Sequence, residues 1–407
     1  MKITNVRLRR LEGTMHHSGV FWEERFRRPT DIYPRFRAQG AGVFGGGQLT
    51  PLEDGRYEVT GTFVQIETDE GVSGIAPVCS DAASRSDVTS LYIDTQLKPI
   101  LMGQEPMAIE LLWDQMYRSS IHGRKGENMM AISSVDIALW DLKGKALGQP
   151  VYKLLGGAVQ DKIPAYASAL GCSIESGKAK ERVKEFVRQG YRATKWFVRE
   201  GPSDGPDGVR KNVELMRVLR EAAGEDVAIM LDCWNSWDVP YTLKMADLLA
   251  EYRPFWFEEP VLPDLPQSYA RLRAACPVTI AGGEHEYTRW GCKLLMDMEA
   301  LDVYQVDPLW AGGISEVNKI CTLASAYDVQ VILHGSSMPV NAQVSFAQNS
   351  VVTPMMEDLV VRQKILQFFL KNPVKPVDGF ITPPAAPGVG LELDESKIES
   401  EREISWS

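Results

Sequence analysis

The sequence predicts an α/β barrel of the (β/α)8 type joined to an α+β segment. Two observations carry that prediction. From about residue 160 the chain alternates short apolar runs with amphipathic helical stretches. Eight runs occur: Ile163–Ser168, Ala193–Val198, Val227–Asp232, Phe255–Glu258, Val278–Gly282, Val303–Asp307, Val329–Leu333 and Pro354–Val360. Seven of the eight are followed by a helical segment, the arithmetic of a barrel of parallel strands. Second, polar residues recur at or just beyond the ends of consecutive runs. They are Asp232, Glu258, Glu284, Asp307 and His334, spaced 26, 26, 23 and 27 residues apart. One βα unit per polar residue puts all five on the C-terminal rim, where barrel active sites are built.

Residues 1–12 alternate polar and apolar positions as a half-buried strand does, and Tyr57–Asp69 repeats the pattern. Asp69-Glu70-Gly71 supplies turn residues for a hairpin into Val72–Val78. Between these strands, residues 13–56 are polar, aromatic and Gly-rich without a period. A loop that long inside a compact domain is usually functional. Residues 81–130 read as helices, and Ser133–Leu147 as a further one with apolar residues at 135, 138, 139 and 142. Gly148–Gly157 closes that helix with Gly and Pro and opens the next unit. Beyond the eighth run, Lys364–Leu370 is a short last helix, and Asn372–Leu393 reads as an extended tail returning to the first domain. The charged run Asp394–Glu403 reads as solvated surface. The expected division is an α+β domain over 1–132 containing the active-site loop 13–56, a barrel over 133–360, and a C-terminal segment over 361–407.

The 407 residues carry 44 Lys and Arg against 54 Asp and Glu, a net charge of −10. That balance argues against nucleic acid or an anionic membrane as partner, while a local site can still take small anions. No apolar run approaches the roughly 18 residues of a spanning helix, and the start has no signal-peptide core. Six cysteines without a Cys-x-x-Cys pair fit a reducing cytoplasm better than a disulfide or zinc scaffold. The expectation is a cytoplasmic protein with a small-molecule substrate. Gly40–Gly45 matches Gly-x-Gly-x-x-Gly but follows no apolar strand and starts no helix, so it reads as loop. His16-His17 has no acid or cysteine at ligand spacing.

Three adjacent carboxylates repel one another and are costly to desolvate unless a cation sits among them. Asp232, Glu258 and Glu284 form an all-oxygen triad that suits Mg2+, with substrate oxygens and water completing an octahedron. Any one of these acids could instead cap the helix that follows it. Three on consecutive strands, followed by Asp and His, favour the metal. His334 follows three apolar residues and precedes Gly-Ser-Ser, a placement for an acid/base at a strand end. Asp307, one strand earlier, is placed to orient and charge-stabilise its imidazole. Lys195, in the second run, either pairs with a carboxylate inside the barrel or faces the rim as a cation for a substrate oxyanion.

These residues carry a resemblance to the enolase superfamily, mandelate racemase-like branch, and within it to L-rhamnonate dehydratase-like acid-sugar dehydratases. It rests on Phe21-Trp-Glu-Glu-Arg25, Arg28-Pro-Thr-Asp-Ile-Tyr33, Ser134–Lys145 and Pro150–Gly157. In the barrel it rests on Met230–Trp234, Gly283-Glu-His285, Gly312–Ser315 and His334–Ser337. The resemblance implies a modified (β/α)7β barrel with an α+β capping domain built from both chain ends. It implies Mg2+ on Asp232, Glu258 and Glu284, His334 with Asp307 as acid/base, and Glu357 stabilising the enolate. It also implies a homo-oligomer, dimer to octamer. His285 matches a histidine of the rhamnonate subgroup and is expected beside the metal or the substrate. Phe21, Trp22, Arg28, Arg35 and Arg37 lie in the loop that would cover the far end of the substrate. There Val20 or Phe21 stands where the subgroup has a histidine, which would narrow the pocket. The C2–C4 configuration of L-rhamnonate is then expected with the far end shortened or altered, L-lyxonate being the leading alternative to L-rhamnonate itself. The branch often has Lys-x-Lys on the second strand, but here Phe197 replaces the second Lys. That disfavours two-base racemisation and leaves a one-base dehydration of an aldonic acid to a 2-keto-3-deoxy acid. An epimerase or cycloisomerase on the same scaffold, and a catalytically silent binding protein, are the rival readings.

Overall fold

The computed structural model describes residues 1–37, 49–78 and 87–406. The Gly40–Gly45 motif lies outside the described residues. A five-stranded antiparallel sheet forms the cap. Its strands are β1 (Ile3–His16), β2 (Thr50–Pro51), β3 (Arg56–Thr68), β4 (Ser73–Pro77) and, from the far end of the chain, β14 (Ser400–Ile404). The order is β14-β1-β3-β2, with β4 also paired to β3 through the turn at Gly71 (φ +78°). Alternation in β1 buries Ile3, Val6, Leu8 and Leu11. The charged run near the C-terminus is a strand, which the sequence did not suggest. An edge strand needs only main-chain partners, so its side chains remain exposed. Arg7 and Arg9 across the ladder pair with Glu403 (3.1 Å) and Glu401 (2.7 Å).

The long helix starts earlier than Ser133 and runs over Glu127–Ala146. Ser133 and Ser134 do not cap it. Their hydroxyls donate back to the carbonyls of Met129 (2.8 Å) and Met130 (3.0 Å), the alternative open to serine inside a helix. The break falls at Gly126 instead (φ +67°). This helix joins the parts of the molecule. Asp136 accepts from the Ser315 N–H (3.0 Å) and hydroxyl (2.6 Å) on the helix Gly313–Ala326, and Asp141 accepts from Ile75 N (2.9 Å) and Val389 N (2.8 Å).

Burial pushes the Asp136 carboxyl up to about 7 against the two Ser315 hydrogen bonds. Its folded pKa therefore lies above its unfolded one, so stability is fully present below pH ~4 and is lost as pH rises to about 7. The Asp136→Asn protein is expected to lose less stability than the parent between pH 4.5 and 7.5, by about 3 kcal/mol. Urea unfolding at pH 4.5 and 7.5 measures it, and parallel curves for the two proteins would refute it.

Eight parallel strands form the barrel: β5 (Ile163–Ser168), β6 (Ala193–Phe197), β7 (Ala228–Asp232), β8 (Trp256–Glu258), β9 (Thr279–Gly282), β10 (Val303–Tyr304), β11 (Gln330–Val331) and β12 (Met356–Leu359). Each falls within its predicted run. The order is β11-β10-β9-β8-β7-β6-β5-β12, and β13 (Phe380–Ile381) adds antiparallel to β5. The seam between β11 and β12 is bridged by Gly335 N–H donating to the Glu357 carboxylate (2.8 Å) and by Val331 N to Val352 O (2.8 Å). Inside, Tyr166, Ala193, Met230, Trp256, Ala281, Val303 and Ile332 pack as an apolar plug.

Candidate active site

The plug dictates the rim. Side chains two apart on a strand share a face. Lys195 follows Ala193, Asp232 follows Met230, Glu258 follows Trp256 and His334 follows Ile332, each by two residues. Asp307 lies two such steps beyond Val303. Lys195, Asp232, Glu258, Asp307 and His334 are therefore stacked on the plug, facing inward and upward, and Glu284 lies just beyond the end of β9. All are buried. The turns just above β7 and β8 hold Trp234, Asn235 and Glu259 at φ of +39°, +62° and +41°, backbone strain of the kind that clusters at functional sites.

A cavity of about 300 Å³ opens above this floor. Lys195, Asp232, Glu284, His285 and His334 line it from below. Trp234, Trp310, Leu170, Leu359 and Arg362 come from the barrel loops, and Phe26, Arg28, Glu127 and Met130 from the cap. His334 Nδ1 sits 2.6 Å from Asp307 Oδ2, and its ring lies against Trp310, with centroids 4.8 Å apart. Burial alone would lower the His334 pKa, but Glu284 and then Asp307 raise it to about 9. Nε2 is left facing Glu284 Oε2 at 4.0 Å.

Lys195 is enclosed by acids. Its Nζ pairs with Glu258, with Glu357 Oε1 (2.8 Å) and more distantly with Asp232 Oδ2 (3.7 Å). Burial opposes its charge, but Glu258 and Glu357 hold its pKa well above the usual lysine range. Both readings of Lys195 thus meet in one side chain, which is carboxylate-paired and faces the cavity. Glu357 is held ionised: burial would raise its pKa, but Lys195 and His334 lower it. It accepts from the Gly335 N–H through Oε2 and is ion-paired with Lys195 through Oε1.

The acids of the expected triad behave as a set short of positive charge. Burial first, and repulsion among them, push Asp232 up to about 7, Glu258 to about 8 and Glu284 to about 7 against the pull of nearby cations. The tightest three-ligand cluster among the described residues is a different one, Glu259, Glu284 and His285, with ligand atoms within 4.8 Å of one another. The two sets share Glu284. His285 Nδ1 and Glu259 already satisfy each other at 2.9 Å, with Asn235 Nδ2 on the same carboxylate at 2.7 Å. Burial would lower the His285 pKa, but Glu259 raises it to about 10. The all-oxygen set Asp232, Glu258 and Glu284 fits a hard divalent cation better.

Several loop residues lie elsewhere. Phe21 faces a second cavity of about 250 Å³ with His17, Cys172 and Asp358, and its ring stacks edge-on to His17 at 5.2 Å. Trp22 covers Gly171 (φ +90°), where a Cβ would come within 2.6 Å of the indole. Arg35 is exposed over Phe36, and Arg37 bonds Asp31 O (2.5 Å) and pairs with Asp204 (3.2 Å). Only Arg28 of the named loop residues reaches the central cavity. The narrowing expected from Phe21 therefore has no basis in the cavity wall. Phe26, Glu127, Met130, Trp234, Trp310 and Arg362 line the cavity without having been singled out. Glu259 could have been found, because it doubles Glu258 ahead of Pro260.

Sequence comparisons agree with this architecture. Residues 55–156 match the mandelate racemase / muconate lactonizing enzyme N-terminal domain, and residues 178–397 the enolase C-terminal domain-like family. The chain belongs to the enolase superfamily, in its mandelate racemase / rhamnonate dehydratase branch. It is 34% identical over 374 residues to L-rhamnonate dehydratase of Saccharopolyspora erythraea, covering 90% of this chain and 88% of that one. The solved rhamnonate dehydratase from Gibberella zeae complexed with Mg is similar at a TM-score of 0.81 and 29% identity, covering 98% and 96%. A racemase from Streptomyces coelicolor with bound magnesium is similar at 0.77 and 26%, covering 97% and 98%. No helix among the described residues is long and apolar enough to cross a membrane.

Proposed function

We propose that the protein is a Mg2+-dependent dehydratase of sugar acids, converting a 2,3-dihydroxy acid to a 2-keto-3-deoxy acid. The observation that carries this reading is the His334–Asp307 pair, with His334 facing a cavity lined by the charge-starved carboxylates Asp232 and Glu284, while Glu258 pairs with Lys195 beside them. Asp232, Glu258 and Glu284 would hold the cation, which supplies positive charge against the substrate carboxylate and makes the C2 proton more acidic. His334 Nε2 takes that proton while Asp307 holds the imidazole by Nδ1. The same ring then gives a proton to the 3-hydroxyl, which leaves as water, and the enol tautomerises to the keto acid. Lys195, kept cationic by Glu258 and Glu357, meets developing negative charge at the carboxyl end. Glu357 anchors Lys195 rather than stabilising the enolate itself. Phe197, buried 6.4 Å from the Phe26 ring, supplies no second base.

The relatives support a substrate with the C2–C4 configuration of L-rhamnonate. The test is a panel of acid sugars incubated with Mg2+ and read for 2-keto-3-deoxy product with semicarbazide. Turnover is expected for L-rhamnonate or its stereochemical kin. No product and no C2–H exchange across the panel would overturn the reading.

A further inference from the structure

Arg362 stands three residues beyond the end of β12, above the floor on which the reacting groups sit, and lines the same cavity. Its root is fixed. Ile365 N and Leu366 N both donate to its carbonyl (2.9 Å each), and Gln363 Nε2 donates to Gly335 O (2.7 Å). Its guanidinium makes no hydrogen bond or ion pair among the described residues, and Nε is sealed from solvent without an acceptor. Arg362 is half-buried, and the fully buried arginines of this region are matched by acids: Arg25 by Asp31 and Arg27 by Asp204. Glu127, the acid of the cap that lines the cavity, is engaged by the Thr89 hydroxyl. Leu359, Leu170, Phe26 and Met130 surround the same space. An unpaired guanidinium on a cavity wall is a ready partner for an arriving anion, through charge-assisted hydrogen bonds.

We propose that Arg362 recognises a negatively charged far end of the substrate. The preferred substrates are then sugar acids with a second anionic group, a terminal carboxylate or a terminal phosphate. This rests on the acid-sugar reading of the site and deepens it, since a guanidinium takes either group through two parallel N–H bonds.

The test compares L-mannonate, its six-carbon diacid L-mannarate, and L-mannonate 6-phosphate in Mg2+. The wild-type protein is expected to favour at least one doubly charged substrate over L-mannonate by about tenfold or more in kcat/KM. The arm that wins identifies the anion. Arg362→Met should bring that ratio close to one, mainly through KM, and Arg362→Lys should keep part of it. Should the Met variant fail to fold, ionic strength replaces it: KM for the doubly charged substrate should climb more steeply with salt than KM for L-mannonate. Equal use of L-mannonate, a ratio unmoved by Arg362→Met, or parallel salt dependence would overturn the proposal. L-mannonate dehydration without a preference for charge leaves the dehydratase reading standing. Absence of turnover and C2 exchange with all three removes that reading itself.

Discussion

His334→Asn is expected to lose dehydration by roughly 10³-fold or more and, with it, exchange of the C2 proton with deuterated solvent. Both losses follow from one geometry. Nδ1 is committed to Asp307 at 2.6 Å, so Nε2 is the nitrogen left to act in the cavity. Asp307→Asn should be milder, because it removes the charge that sustains the imidazole and not the imidazole itself. The sign of its pH effect is fixed. Asp307 helps to raise the His334 pKa, so without it the basic form prevails at lower pH, and the rising limb of kcat/KM moves toward acid with a lower plateau. Proton NMR of the substrate in D2O reads the exchange. If His334→Asn exchanges C2–H at the parent rate, another base is at work, and Lys195 is the first to examine.

The second large effect separates the two ways of building the metal site. Chelator-treated protein should be inert, and Mg2+ should restore it. Glu258→Gln is expected to weaken Mg2+ binding by at least about 100-fold in calorimetry, because one of three anionic ligands is gone. Glu259→Gln should weaken it less than Glu258→Gln does, since that carboxylate is occupied by His285 and Asn235. The reverse ranking would make Glu259, Glu284 and His285 the ligands. Calorimetry answers this without reference to turnover.

The floor of the site was legible in the sequence because strand geometry is periodic. An apolar residue pointing into the barrel guarantees that the residue two positions later points the same way, so Asp232, Glu258 and His334 declared themselves. The walls carry no such period. Phe26 and Arg28 depend on how one loop turns, and Phe21 and Trp22, a few residues earlier on it, turn the other way into a second cavity and onto Gly171. Glu127 and Met130 reach the cavity from the first turn of a helix that begins at 127, where the apolar spacing suggests a start at Ser133. Strand β14 hid for the opposite reason. Its side chains face water on an edge and look like tail.

Strand β1 has two neighbours in its sheet, and one of them is made long after the other. Leu8 pairs with Ile404, and Arg7 bonds Glu403 across 396 residues of sequence. Chains emerge from the ribosome N-terminus first, at ~5–20 residues per second, and early segments generally fold before late ones exist. Here the barrel strands, complete by Leu359, can assemble while the outer edge of the cap sheet is still vacant. The open flank of β1 must then wait, unpaired, until residues 400–404 have been made. An exposed strand edge is a template for any neighbouring strand. The interval of greatest vulnerability to misassembly is thus set by the order of synthesis, and it closes with residues 400–404.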